Sequence, residues 1–196
     1  MEVNTKEKIL EEALGLFSQK GFYGTSMSNI AEKVGITKAA LYKHFSGKEE
    51  ILDVILQIGE EYYENKFGSL SNLPKIPESM EELRTLSLNQ IRFTIHDSEI
   101  IKYRKLFVIE QFRNKKLAEY ATKYFLTGLE SMYSYIFFQM MEKAILKQYD
   151  ADFLAFEYIT PITMMIHLCD RQPEKESAAL ERIKQHIDNF IKIYKA

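Results

Sequence analysis

One cysteine, four prolines and no long apolar run set the limits of this chain of 196 residues. A lone thiol, Cys169, excludes an intrachain disulfide, and among its apolar neighbours it reads as a small buried hydrophobe. No apolar stretch approaches the roughly 20 residues needed to span a bilayer. The polar, charged N-terminus carries no secretory signal, so the expectation is a soluble, cytoplasmic protein with no membrane partner. Catalytic signatures are missing as well: there is no HExxH, no GxSxG and no glycine-rich phosphate loop. The four histidines, at 44, 96, 167 and 186, lack metal-ligand spacing. The expectation is a protein that is not an enzyme and needs neither metal nor cofactor.

Strand-like alternation is absent over any useful length, and apolar spacings of three and four dominate, which gives an all-α fold of about nine helices. They are expected near 5–20, 28–34, 38–44, 48–70, 78–96, 99–112, 114–147, 151–171 and 175–194. Pro74 and Pro77 bracket a loop, SLSNLPKIPES, and Pro173 ends a helix. The net charge of -2 does not suggest nucleic acid, but its distribution does. Residues 1–48 balance at +2 and residues 49–196 at -4, and within 21–48 four lysines stand against Glu32 alone. The positive field is local.

That field coincides with a motif. Val34-Gly35-Ile36-Thr37 reads as a tight turn between two short helices, with Gly35 at a left-handed C-terminal position and Thr37 capping the next helix. Leu41 and Phe45 are four apart and point inward. At 100° per residue, Ala39 and Lys43 lie opposite Leu41, with Tyr42 to one side. This leaves a small residue, a charge and a flat aromatic on the outer face. Ser46-Gly47-Lys48-Glu49 reads as a capping box for the following helix. The alternative is a plain helical hairpin with a solvated face; the conjunction of features over fewer than thirty residues favours a helix-turn-helix that enters the DNA major groove.

These residues resemble the tetracycline-repressor (TetR) family of bacterial regulators. The matching elements are Phe17…Gly21-Phe22…Thr25-Ser26, then Ile30-Ala31…Val34-Gly35, then Lys38…Leu41-Tyr42…His44-Phe45…Lys48-Glu49. The match runs from about residue 6 to about residue 56. The resemblance implies an N-terminal three-helix DNA-binding domain at 1–47 and a helical ligand-binding and dimerisation domain at 48–196, with 48–70 as the connecting helix. It places Thr25, Ser26 and Met27 at the start of the second helix, against phosphate. Thr37, Lys38 and Ala39 open the recognition helix, Tyr42, Lys43 and His44 face groove and backbone, and Lys48 holds a phosphate. The family often carries an aromatic residue where this chain has Lys43, which raises the share of binding due to phosphate.

The run MYSYIFFQMM at 132–141 is apolar nearly all round and must be covered on several sides. It either lines an adaptable cavity or fills a core. With the family resemblance, the expected pocket comprises Phe93, His96, Tyr103, Phe107, Glu110, Met132, Tyr133, Ile136, Phe137, Met164 and His167. Pro161 is expected to kink its helix. In the last helix Leu180, Ile183, Ile187, Phe190, Ile191 and Tyr194 form one apolar stripe. That stripe either closes the core or pairs with a second copy. With Ile159 and Ile162 it is expected to form a four-helix dimer interface, because regulators that read two half-sites are usually two-fold dimers. The function expected is a homodimeric repressor of a double-stranded DNA operator, released by a small, largely hydrophobic effector. The alternative is a DNA-binding regulator or architectural protein without such an effector, controlled by a protein partner.

Overall fold

The structure, a computed structural model, describes residues 4–68 and 75–196. Ten α-helical segments follow in order: α1 (Thr5–Lys20), α2 (Met27–Val34), α3 (Lys38–Tyr42), α4 (Lys48–Phe67), α5 (Met80–His96), α6 (Ser98–Glu110), α7 (Lys115–Thr122), α8 (Gly128–Glu142), α9 (Ala151–Arg171) and α10 (Glu176–Tyr194). A π turn, Lys123–Thr127, joins α7 to α8 without a break, so these two are one interrupted helix and the described residues hold nine helices in all. No β-strand is formed among the described residues; a single bridge pairs Leu146 with Lys195. The loop expected across 69–79 lies partly outside the described residues, at 69–74.

The helix expected at 114–147 stops at Glu142. Ala144 adopts φ 52, a left-handed conformation that ends the helical path. The backbone beyond it pairs with the chain's last turn instead: Lys147 N–H donates to Tyr194 O at 2.9 Å and the Lys147 ammonium to Ile193 O at 2.8 Å. By contrast α9 runs unbroken through Pro161, whose ring lies on the exposed side of the helix.

Contacts divide the chain into two compact units. One runs to Lys66 and takes in Ser98–Ala118; the other comprises Phe67–Asp97 and Glu119–Ala196. Compactness therefore divides the chain differently from the expected 1–47 and 48–196, because most of α4, with α6, groups with the first three helices.

The core of the first unit is built by α1, whose Ile9, Leu10, Ala13, Leu14 and Phe17 recur at helical spacing and are all buried. Asn4 caps α1 by accepting Lys6 N–H at 3.1 Å. The second unit is centred on Tyr158, which is fully buried and ringed by Tyr133, Phe137 and Phe190 at centroid distances of 5.2, 5.3 and 4.7 Å. Its hydroxyl donates to Ser87 Oγ at 2.8 Å, so the polar tip of the largest core residue is satisfied. Burial pushes the hydroxyls of Tyr133 and Tyr158 above their ordinary pKa. At the rim, Arg84 of α5 donates to Asp188 of α10 at 2.5 Å and holds that carboxyl below its ordinary pKa.

Candidate nucleic-acid interface

The helix–turn–helix segment, α2 and α3, is held by local chemistry that matches its sequence. Ser26 and Asn29 form a reciprocal capping box: Asn29 N–H donates to Ser26 Oγ at 3.2 Å and Ser26 N–H to Asn29 Oδ1 at 2.9 Å. At the other end of α2, Gly35 is left-handed (φ 82, ψ 30), and both its N–H and that of Ile36 donate to Ala31 O. The Lys8 ammonium reaches Val34 O at 3.0 Å, a cation set on the negative end of α2. Thr37 Oγ1 accepts Ala40 N–H at 3.1 Å and caps α3.

α3 itself spans only five residues, shorter than expected, and continues as a turn to Phe45. Leu41 and Phe45 are buried, and the Lys6 ammonium lies 5.2 Å from the Phe45 ring. Outward from this anchored edge, Thr37, Lys38, Ala39, Tyr42, Lys43 and His44 are all exposed, as is Ser26 at the start of α2. Lys38 stands over the Tyr42 ring at 5.9 Å. The result is one exposed surface carrying two ammonium groups, an aromatic and a small residue, on a buried scaffold.

Three of the expected phosphate contacts are placed differently. Thr25 is buried, and its hydroxyl donates to Gly21 O at 2.9 Å, closing the turn after α1. Met27 is buried as part of the core, since its spacing to Ile30, Ala31 and Val34 puts it on the inner face of α2. Lys48 turns inward: its ammonium donates to Phe22 O at 2.6 Å and Thr25 O at 2.8 Å and lies 4.2 Å from the Phe22 ring. The expected capping box at the start of α4 is also different, because Glu50 rather than Glu49 accepts from Ser46, at its N–H (2.6 Å) and its hydroxyl (2.8 Å). These bonds hold the Glu50 carboxyl below its ordinary pKa.

Sequence reasoning missed Glu110 as part of this unit. It is 1% exposed, and its Oε1 accepts Tyr23 N–H at 3.3 Å while Oε2 has no partner among the described residues. Only its place on the inner face of α6 hinted at this, because the pairing spans 87 positions of chain.

The eleven residues expected to line one effector pocket fall into both units. In the first, the Tyr103 hydroxyl donates to Ile55 O at 2.9 Å, and burial raises its pKa well above the ordinary tyrosine value. Phe107 is buried beside it, and Glu110 faces the turn after α1. In the second, Met132, Tyr133, Ile136 and Phe137 are buried, with Phe137 stacked on Phe190 at 5.3 Å: this part of the stripe fills a core. Phe93 meets Phe67 edge-on, exposed His96 faces Glu176 at 2.9 Å, His167 meets Phe125 at 4.6 Å, and Met164 is 55% exposed. An open groove of about 580 Å³ in the second unit, lined by Ser131, Ser134, Tyr135, Phe138 and Asp150–Asp152, contains none of the eleven.

The residues expected at the dimer interface are placed as follows in the single chain. Ile159, Ile162, Ile183, Ile187 and Phe190 are buried within the single chain, and Leu180, Ile191 and Tyr194 are half-buried. The exposed apolar residues of α9 are Phe153, Phe156 and Met164, which at offsets of three and eleven from Phe153 share one face. Spacing alone shows that a helix is amphipathic and not which neighbour it covers.

Among the described residues no group of acidic, histidine or cysteine side chains fits a metal ion, and no helix is long and apolar enough to cross a membrane.

The sequence profile of bacterial regulatory proteins, tetR family, matches residues 9–55. The negative transcriptional regulator IcaR of the biofilm operon icaADBC, from Staphylococcus epidermidis, is 31% identical over 127 residues, which cover 50% of this chain and 68% of that protein. A solved chain assigned as a TetR-family transcriptional regulator of Mesorhizobium loti superposes with a TM-score of 0.74 at 19% identity, over 98% of this chain and 97% of that one. The SmeT–triclosan complex does so with a TM-score of 0.73 at 20% identity, over 98% and 92%; SmeT is the repressor of a multidrug efflux pump of Stenotrophomonas maltophilia.

Two glycines in the first unit predict opposite outcomes. Gly21 holds φ 75 and ψ 165, a region closed to side chains, and an added Cβ would collide with Glu110 Oε1. Gly15 sits inside α1 with nothing within 4 Å of an added Cβ. Denaturant unfolding is expected to show Gly21→Ala destabilised by about 1–3 kcal/mol and Gly15→Ala stabilised by about 0.4–1 kcal/mol.

Proposed function

The chain belongs to the tetR family of bacterial regulatory proteins, and from that premise we propose that it is a homodimeric repressor released from its operator by a small, largely hydrophobic molecule. As a member of that family it is a DNA-binding transcriptional regulator and not an enzyme. The observation that carries the DNA-contact part of this reading is the exposed set Thr37, Lys38, Ala39, Tyr42, Lys43 and His44 on the buried Leu41 and Phe45. Ala39 lets the segment approach base edges, Tyr42 offers an apolar face with a hydroxyl tip, and Lys38 and Lys43 meet phosphates. Residues 1–47 do the reading, 48–196 carry dimerisation and effector sensing, and α4 connects them.

A second copy is proposed to cover the outer face of α9. Phe153 and Met164 are each more than half exposed there and Phe156 nearly so, an apolar area that a monomer rarely leaves in one strip. Two-fold symmetry would set two recognition segments about 34–36 Å apart, one helical turn of DNA. The reading of an effector is supported by likeness in fold to SmeT in complex with triclosan. Such a molecule acts only through a difference in affinity between the DNA-competent state and another. The regulator works where its DNA lies, in the cytoplasm.

Three outcomes are expected. Lys43→Glu abolishes operator binding in a mobility-shift assay while thermal midpoint and oligomeric state stay as in the parent; a variant that still binds removes Lys43 from the interface. Phe156→Asp converts a dimer to a monomer by light scattering, and an unchanged mass would place the dimer contact elsewhere. In a thermal-shift screen of hydrophobic and cationic compounds, at least one raises the midpoint; at a hundredfold excess over Kd the stabilisation is about 2.7 kcal/mol. The same compound must also weaken operator binding, and a binder without that effect counts against release by effector.

A further inference from the structure

The turn from Gly21 to Thr25 is gripped from two sides by residues distant in sequence. From α4 comes Lys48, whose ammonium donates to Phe22 O and Thr25 O and sits 4.2 Å from the Phe22 ring. An ammonium has three N–H groups and no acceptor. Two carbonyls and a ring face already surround this one, and the ring supplies the electrostatic attraction that a third oxygen would. From α6 comes Glu110, buried, with Oε1 on Tyr23 N–H and its carboxylate filling the space that Gly21 leaves empty.

A buried carboxylate oxygen without a partner is costly, and such a group invites a physical reason for its place. The reason lies in what the turn carries. It leads directly into Ser26, the cap of α2, and α2 fixes α3 through the Gly35 turn. A shift of the turn therefore carries the whole exposed reading surface with it.

We propose that Lys48 and Glu110 are positioning residues, a two-sided clamp on the turn 21–25 that sets the pitch of the reading surface on DNA while touching no DNA themselves. This rests on the DNA-binding reading above. It assigns Lys48 a role different from a phosphate contact, and the two roles respond differently to salt. Each phosphate neutralised adds about 0.9 to the slope of log K against log salt, whereas a group inside the protein adds nothing.

The test uses the full chain and a duplex selected by the parent protein from a random pool. Kd is measured by fluorescence anisotropy over a range of potassium chloride, at a temperature where circular dichroism shows every variant folded. Lys48→Met keeps the stem and removes the donors. It is expected to weaken binding on the order of tenfold at every salt concentration, with the slope unchanged. Glu110→Gln keeps the acceptor for Tyr23 N–H and is expected to bind within about twofold of the parent, while Glu110→Met loses about tenfold.

A slope lowered by about one in Lys48→Met would mean a phosphate contact and overturn the clamp. So would parental binding by Glu110→Met, which would leave Glu110 a merely stabilising group. A parent chain that selects no duplex defeats the DNA-binding reading and the clamp with it; a parent that binds, with any of these results, defeats the clamp alone.

Discussion

A helix of five residues closes too few hydrogen bonds to hold its own shape in water. Everything about the exposed surface of α3 follows from that constraint. α3 exists because Thr37 caps it, because Gly35 delivers the chain to it at the required angle, and because Leu41 and Phe45 pin one edge in a core. That core is in turn the inner face of α1 and α2. Apart from Thr37, whose hydroxyl caps α3, the outward residues Lys38, Ala39, Tyr42, Lys43 and His44 take no part in the anchoring. Scaffold and surface alternate along a stretch of fewer than ten residues, and the burial pattern separates them cleanly.

The helical frame was legible because its punctuation is chemical. Gly35, Thr37 and Pro173 each act through a local bond or a fixed dihedral, so their meaning survives without knowledge of the fold. The ends that were misjudged lack such marks. Nothing in AILK at 144–147 announces a helix end, since Ala144 takes its left-handed conformation only because the backbone after it pairs with the last turn of α10. Likewise Glu49 and Glu50 stand side by side, and spacing alone does not decide which of them reaches back to Ser46.

Direction was harder than existence. Periodicity identified the apolar stripes of α8, α9 and α10 but not what they cover. Tyr158 decides it: Tyr133, Phe137 and Phe190 converge on one ring from two other helices, and residues expected in a cavity or at an interface become core. Charged residues follow the same logic in reverse. Lysine at 48 suggests a phosphate because lysines usually face water, yet carbonyls and an aromatic face within reach of its long stem provide an equally good seat. Thr25, Met27 and Glu110 likewise took their roles from neighbours that the local sequence does not contain.

The π turn between α7 and α8 holds one more residue than an α-helical path of the same span would need, and Gly128 at its far end has Lys123 O so close that a side chain there would clash. Its effect is one of phase. Apolar positions counted from Lys115 fall about 100° out of step once the count passes Thr127, so 115–142 carries two superposed rhythms rather than one. Removing one residue from this stretch would restore a single rhythm and turn the apolar face of α7 by about 100° relative to that of α8.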